Sequence, residues 1–274
     1  MGIGGRFDGR LVWPMRSFVL PSVGLLFLFP YAGLICPDEV RVHYTEGLAR
    51  GFLALMTEDG TRIAEGEDSQ VLRNGVVASR LTFRFYDGSI YEDETKFTQH
   101  GTYKLLSDHV IQKGPRFPTQ METWLDTTTG QVKVNSSKNG KPETIDQTLD
   151  LPSDLANGIV FTIVKSMLST PQTTVSYIAF TPKPNLVKLV ITQEGRETMR
   201  TDRAPHQATR FLIKVDIGGI PGAMATVVGK KPADTHMWVI GGTAPTFAGS
   251  EGPLYGDGPI WRIELDSPRW ESAH

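Results

Sequence analysis

Val71-Leu72-Arg73-Asn74-Gly75-Val76-Val77-Ala78-Ser79-Arg80-Leu81-Thr82-Phe83-Arg84-Phe85-Tyr86-Asp87-Gly88 decides the fold class of this chain. Leu81, Phe83 and Phe85 share one side of an extended backbone and Thr82 and Arg84 the other, because side chains alternate across a strand. Asn74-Gly75 and Asp87-Gly88 tolerate the positive φ that tight hairpins need, so each predicts an antiparallel turn. Upstream, residues 52–57 and 62–64 flank Asp59-Gly60, a third turn read in the same way. The pattern is an antiparallel meander.

The alternation continues on both sides. Residues 89–98 and 102–113 read as strands, Gly114 to Pro118 interrupts, and 121–127 and 131–136 form a further hairpin about Thr129-Gly130. Lys138-Asn139-Gly140-Lys141-Pro142 is a polar surface turn. Later strands are expected at 173–181, 186–193, 209–217, 235–240 and 259–265, with a polar stretch at 193–206 separating two of them. The glycine-rich run 218–229 is expected to curve or leave the sheet. Residues 241–258, with six glycines and two prolines, read as an irregular connection. Such a long connection is uncommon unless it is functional or disordered, and Phe247, Leu254 and Tyr255 argue against disorder.

One stretch breaks the period of two. In Leu151 to Leu168, Leu155, Ile159, Ile163 and Met167 recur every fourth residue, and Val160 and Val164 widen the stripe. This predicts an amphipathic helix with one covered face. Ser153 suits its N-cap, Asp154 its positive N-terminus, and Pro171 its end. The fold class that follows is mainly β: a large curved antiparallel sheet or open barrel of about 11 or more strands, with one amphipathic helix on its concave face. Asn157 and Gly158 are weak helix formers, which leaves room for close packing or movement of this lid. No repeat of 20–50 residues occurs, so solenoid and propeller readings fail.

A net charge of −2 and a charged fraction of 21% describe an ordinary folded chain and give no electrostatic case for nucleic acid. Arg6, Arg10 and Arg16 precede an apolar segment that runs to Cys36, the pattern of a secretory signal. Met15 offers an alternative start. The expected organisation is a signal peptide at 1–36 and a single β-rich domain at 37–274: meander 37–150, helix 151–168, second strand set 169–274. Without residues 1–36, 25 basic residues stand against 29 acidic ones, a net −4 that argues further against nucleic acid and anionic membranes. Periplasmic or secreted localisation is expected. Ile35 is too bulky for a lipoprotein cleavage site before Cys36, so acylation is disfavoured. A membrane barrel fits poorly, since the strands are irregular and the loops uneven.

Catalytic patterns are sparse. No histidine stands in a metal-ligand spacing, so neither metal nor cofactor is expected. Asp234 and His236 would share one face of a strand, while Asp108 and His109 would point to opposite faces. His109, Asp234 and His236 are therefore the candidates for general acid–base work. Ala248-Gly249-Ser250-Glu251-Gly252 misses the nucleophile-elbow pattern at its first position and no helix follows it. Near one sheet edge the chain gathers Tyr255, Trp261, Arg262 and Trp270. Trp261 and Ile263, two apart, could simply close the core. Alternatively, Phe247, Tyr255, Trp261 and Arg262, together with Ile159, Ile163 and Met167 of the helix, form an apolar binding site.

Leu151-Pro152-Ser153-Asp154-Leu155-Ala156-Asn157-Gly158 and the run from Glu251-Gly252-Pro253-Leu254-Tyr255 through Gly258-Pro259-Ile260-Trp261-Arg262-Ile263-Glu264 resemble an uncharacterised family of exported bacterial proteins. The resemblance spans most of the mature chain and implies export and one contiguous domain, with no activity attached. The plan also resembles periplasmic lipoprotein-carrier folds in architecture, which does not fix function. The leading expectation is an exported, non-catalytic protein that binds a lipid, another apolar small molecule or an envelope partner in a concave sheet. A hydrolase using Asp234 and His236, or His109, is the alternative. A purely structural envelope protein is the third, favoured if the sheet encloses no cavity.

Overall fold

The computed structural model describes residues 39–180, 183–201, 204–216, 233–256 and 258–266. The leader, Cys36, the 218–229 run and Trp270 lie outside them. The chain divides into two compact units, Met1–Ile35 and Cys36–His274, and every described residue belongs to the second.

Fourteen strands are described: β1 (Ala49–Thr57), β2 (Arg62–Arg73), β3 (Val76–Phe85), β4 (Ile90–Thr98), β5 (Lys104–Lys113), β6 (Thr119–Asp126), β7 (Gln131–Lys138), β8 (Lys141–Thr148), β9 (Gln172–Phe180), β10 (Pro184–Thr201), β11 (Ala204–Asp216), β12 (Thr235–Ile240), β13 (Thr246–Pro253) and β14 (Ile260–Asp266). They form one antiparallel sheet in the order β8-β7-β6-β5-β4-β3-β2-β1-β14-β13-β12-β11-β10-β9. Each strand pairs with its neighbours in sequence, except that β1 pairs with β14 and β8 and β9 are left as edges. The sheet curls without closing into a barrel.

Turn chemistry explains the meander, in two variants. At Asn74-Gly75 and Asn139-Gly140 both central residues have positive φ: 51° and 79°, 52° and 73°. At Asp59-Gly60 and Asp87-Gly88 only the glycine does. There the aspartate closes the turn instead, accepting from the N–H of Thr61 at 3.1 Å and of Ser89 at 2.9 Å.

The helix α1 (Val160–Ser166) links the two edge strands and is shorter than the expected 151–168. Ile159 is its N-cap, with no side-chain cap, so Ser153 does not start it. The reason lies in the sheet edge. Leu155 makes a parallel bridge to Ser176 of β9, and backbone bonds join Ala156 N–H to Ser176 O at 2.9 Å and Ser176 N–H to Asp154 O at 3.2 Å. Asn157 donates to Ile178 O at 3.0 Å and accepts from Ile178 N–H at 2.8 Å. Asp154 does not serve the helix N-terminus: its carboxylate accepts from Ser176 Oγ at 2.6 Å and Lys188 Nζ at 3.0 Å. This segment satisfies part of an edge that would otherwise present unpaired backbone groups.

Two expected connections are strand. Residues 241–258 contain β13, whose glycines pack rather than loop: a Cβ on Gly252 would lie 2.4 Å from Thr235 Oγ1. The polar stretch 193–206 is the exposed end of the long β10–β11 hairpin, paired as far as Thr201 and Ala204.

The concave face carries two apolar clusters. One gathers Ile159, Ile163, Val164 and Met167 against residues of β3–β7 and β9–β12, so the sheet wraps the helix. The other gathers Leu55, Phe83, Phe85, Phe117, Trp261 and Ile263. Phe247 packs against both.

Candidate ligand-binding cavity

Strand register builds the site. Asp68, Leu81, Asp93, Val110 and Thr123 stand side by side across β2 to β6, and Gln70, Ser79, Thr95 and Asp108 form the adjacent row. The rows are two residues apart and so share one face. With residues of both clusters they line a cavity of about 870 Å³. Facing the rows are Val160, Phe161, Thr162 and Lys165 of α1, and Val187, Leu189 and Ile213 of β10 and β11. Leu48, which is 86% exposed, also lines it and marks where it meets the surface. The volume suits a small organic ligand.

The cavity has a polar floor. Asp93 and Asp108 are hydrogen-bonded to each other, and Thr95 Oγ1 lies 2.9 Å from Asp93 Oδ1 and 3.1 Å from Asp108 Oδ1. Burial raises both carboxyls, and the charge of Asp93 raises Asp108 further. Two carboxyls so placed share one proton. Burial also pushes Asp68 up to about 6, partly offset by Lys165. Lys165 is itself paired with Glu46 at 2.7 Å. Burial and the two neighbouring carboxyls hold the Tyr91 and Tyr177 phenols protonated. Gly158, at φ 66°, presses the entry to the helix onto the pair: a Cβ there would lie 2.0 Å from Thr95 Oγ1 and 2.6 Å from Asp108 Oδ1. Gln70 Oε1 and Thr123 Oγ1 are buried without a hydrogen-bond partner.

The expected site residues divide. Phe247, Tyr255 and Trp261 line the cavity. Ile159, Ile163 and Met167, 1–3% exposed, lie in the packed cluster and are not among its lining residues. Arg262 is drawn away by Glu251 at 3.6 Å and Glu264 at 3.4 Å and does not line the cavity. His109 pairs with Glu122 at 3.1 Å and stacks on Trp124, while its neighbour Asp108 faces inward. His236 sits between Arg210 at 3.0 Å and Glu194 at 3.4 Å, and Asp234 lies 3.8 Å from Lys214. His109 on β5 lies apart from Asp234 and His236 at the start of β12, and none of the three lines the cavity. Among the described residues, no three His, Cys, Asp or Glu side chains are grouped to hold a metal ion.

Sequence reasoning missed Asp68, Gln70, Asp93, Thr95, Asp108 and Thr123. The available signal was polar residues at i and i+2, Asp68 with Gln70 and Asp93 with Thr95, on the face that also carries Leu81 and Phe83. Polar residues on a meander face ordinarily mark solvent, so the signal needed the curvature to be read.

No family model and no curated protein matches the chain. A solved structure, the crystal structure of a beta-barrel-like protein of domain of unknown function DUF1849 from Brucella abortus, is similar over 83% of this chain and 97% of that one. The identity is 12% and the TM-score 0.43.

Proposed function

We propose that this is an exported, non-catalytic protein that takes an apolar ligand into the concave face of its sheet. The observation that carries the reading is the cavity of about 870 Å³ that remains beside α1 after Ile159, Ile163 and Met167 have packed. Its aromatic and aliphatic wall, with a cluster of polar groups on β2 to β6, is the composition of small-molecule sites. The basic and apolar leader supports export to the periplasm or beyond, and the resemblance to exported proteins points the same way. A hydrolase built on Asp234 and His236, or on His109, has none of these residues in the cavity, and a purely structural role gives no reason to keep a cavity. The protein is purified without detergent, extracted for mass spectrometry, and heated with a panel of fatty acids, phospholipids, alkanols and alkylamines. Co-purified lipid, or a ligand-dependent rise of a few degrees in melting, is expected. No lipid and no shift overturns the proposal.

A further inference from the structure

The floor of the cavity is rich in carboxyls and carries unpartnered polar atoms. Asp68, Asp93 and Asp108 bring three carboxyls to it, and the lining cations Lys165 and Arg50 are already held by Glu46 at 2.7 Å and Glu67 at 2.8 Å. Gln70 is 6% exposed and Thr123 1%, yet Gln70 Oε1 and Thr123 Oγ1 have no partner. A buried polar atom without a partner is costly and uncommon, and both of these atoms belong to residues that line the cavity. They are independent of the carboxyls: Gln70 Oε1 only accepts, so it points to a bound group that brings a hydrogen, and the Thr123 hydroxyl can accept from the same group.

We infer that the cavity takes an amphiphile by a cationic amine head, seated on the floor of Asp68, Gln70, Asp93, Asp108 and Thr123, with its hydrocarbon tail against Phe161, Phe247 and Val187. The inference rests on the cavity being a ligand site and names the class of ligand. An ammonium brings three donors and a positive charge to a group of acceptors. A carboxylate head meets like charge in a partly desolvated site, which costs far more than at the surface. The carboxyls are not grouped as metal ligands, so the cation is organic. The acceptors extend from Gln70 and Asp68 on β2 to Thr123 on β6, so a head with two amines satisfies more of them than one with a single amine.

Four probes with one tail test this by calorimetry at pH 7.5, each below its micelle concentration: decylamine, N-decyl-1,3-diaminopropane, 1-decanol and decanoate. The diamine is expected to bind most tightly, decylamine next, both at least about tenfold tighter than decanol, and decanoate weakest. Asp68→Asn is expected to lower amine affinity about tenfold and decanol affinity far less, and a cooperative melting transition reports that the variant is folded. If the four probes bind alike, or decanoate binds best, the amine assignment is overturned while the cavity reading stands. If none binds, both fall.

Discussion

Asp68 holds a proton up to about pH 6, against an ordinary value of 3.8, because burial penalises its charged form. A raised folded-state pKa means that the folded chain binds this proton more tightly than the unfolded one. The stabilising contribution is therefore complete below 3.8 and is lost as pH rises through about 6. At pH 7.5 the buried charge costs about 2 kcal/mol after allowance for partial exposure. Asp68→Asn removes that cost, so its melting midpoint is expected to rise by about 5 °C at pH 7.5 and to match the parent at pH 4. Calorimetry at the two pH values checks this; a variant less stable at both would show that the carboxylate is not strained. Gly158 is the opposite case. Its φ of 66° and the 2.0 Å approach of a Cβ to Thr95 Oγ1 leave no room for alanine. Gly158→Ala is expected to cost about 2–4 kcal/mol, measured as a lower denaturant midpoint with an unchanged slope.

The run from Asp154 to Met167 works as an element in two parts. Residues 154–157 complete β9, and α1 fills one end of the concave face while lining the cavity with its other flank. Asn157, 1% exposed, satisfies both backbone groups of Ile178. Asn157→Ala leaves those groups bare and is expected to cost about 2–4 kcal/mol, with hydrogen exchange at the Ile178 amide accelerated before that of central strands. The two flanks of the helix are expected to respond differently. Ile163 is 3% exposed in the packed cluster, and Ile163→Ala should cost about 2–5 kcal/mol. Phe161 is only half-buried and stacks on Phe247 with ring centroids 5.4 Å apart, beside the cavity. Phe161→Ala should cost less stability than Ile163→Ala while weakening decanol binding several-fold, and a binding constant unchanged by it would remove the helix from the site.

At the scale of the molecule, a single sheet runs from β8 to β9, and its continuity depends on β1 pairing with β14. Leu55 opposite Ile263 and Thr57 opposite Trp261 join the start of the meander to the last described strand. Trp261 meets Phe85 and Tyr255 at 5.5 and 5.9 Å, and Phe117 completes that aromatic group. A contact of such long sequence separation forms slowly, because loop closure must precede it. A chain ended at residue 258 removes β14 and leaves β1 without one partner. It is expected to lose its cooperative melting transition and near-ultraviolet dichroism. A truncated chain that melts at the parent midpoint would mean that the two halves of the sheet are independent.

The sequence by itself determined the meander, because Asn74-Gly75, Asp87-Gly88 and the alternation through Leu81, Phe83 and Phe85 are local instructions read within a few residues. It also determined that one apolar stripe at helical spacing had to be covered. It left the helix start and β13 open to misreading. Asn157 looks like a poor helix residue until the edge of β9 gives it a role, and Gly158 until Thr95 and Asp108 press against it. Gly249 and Gly252 look like loop until β12 is laid beside them. The site was the least legible part. Alternation placed Asp108 opposite His109, but which of the two faced the inside depended on the direction in which the sheet curved. Curvature, and how far a helix fills the hollow it creates, are set by packing among strands distant in sequence. Only that packing brought Asp68, Asp93 and Asp108 onto one floor.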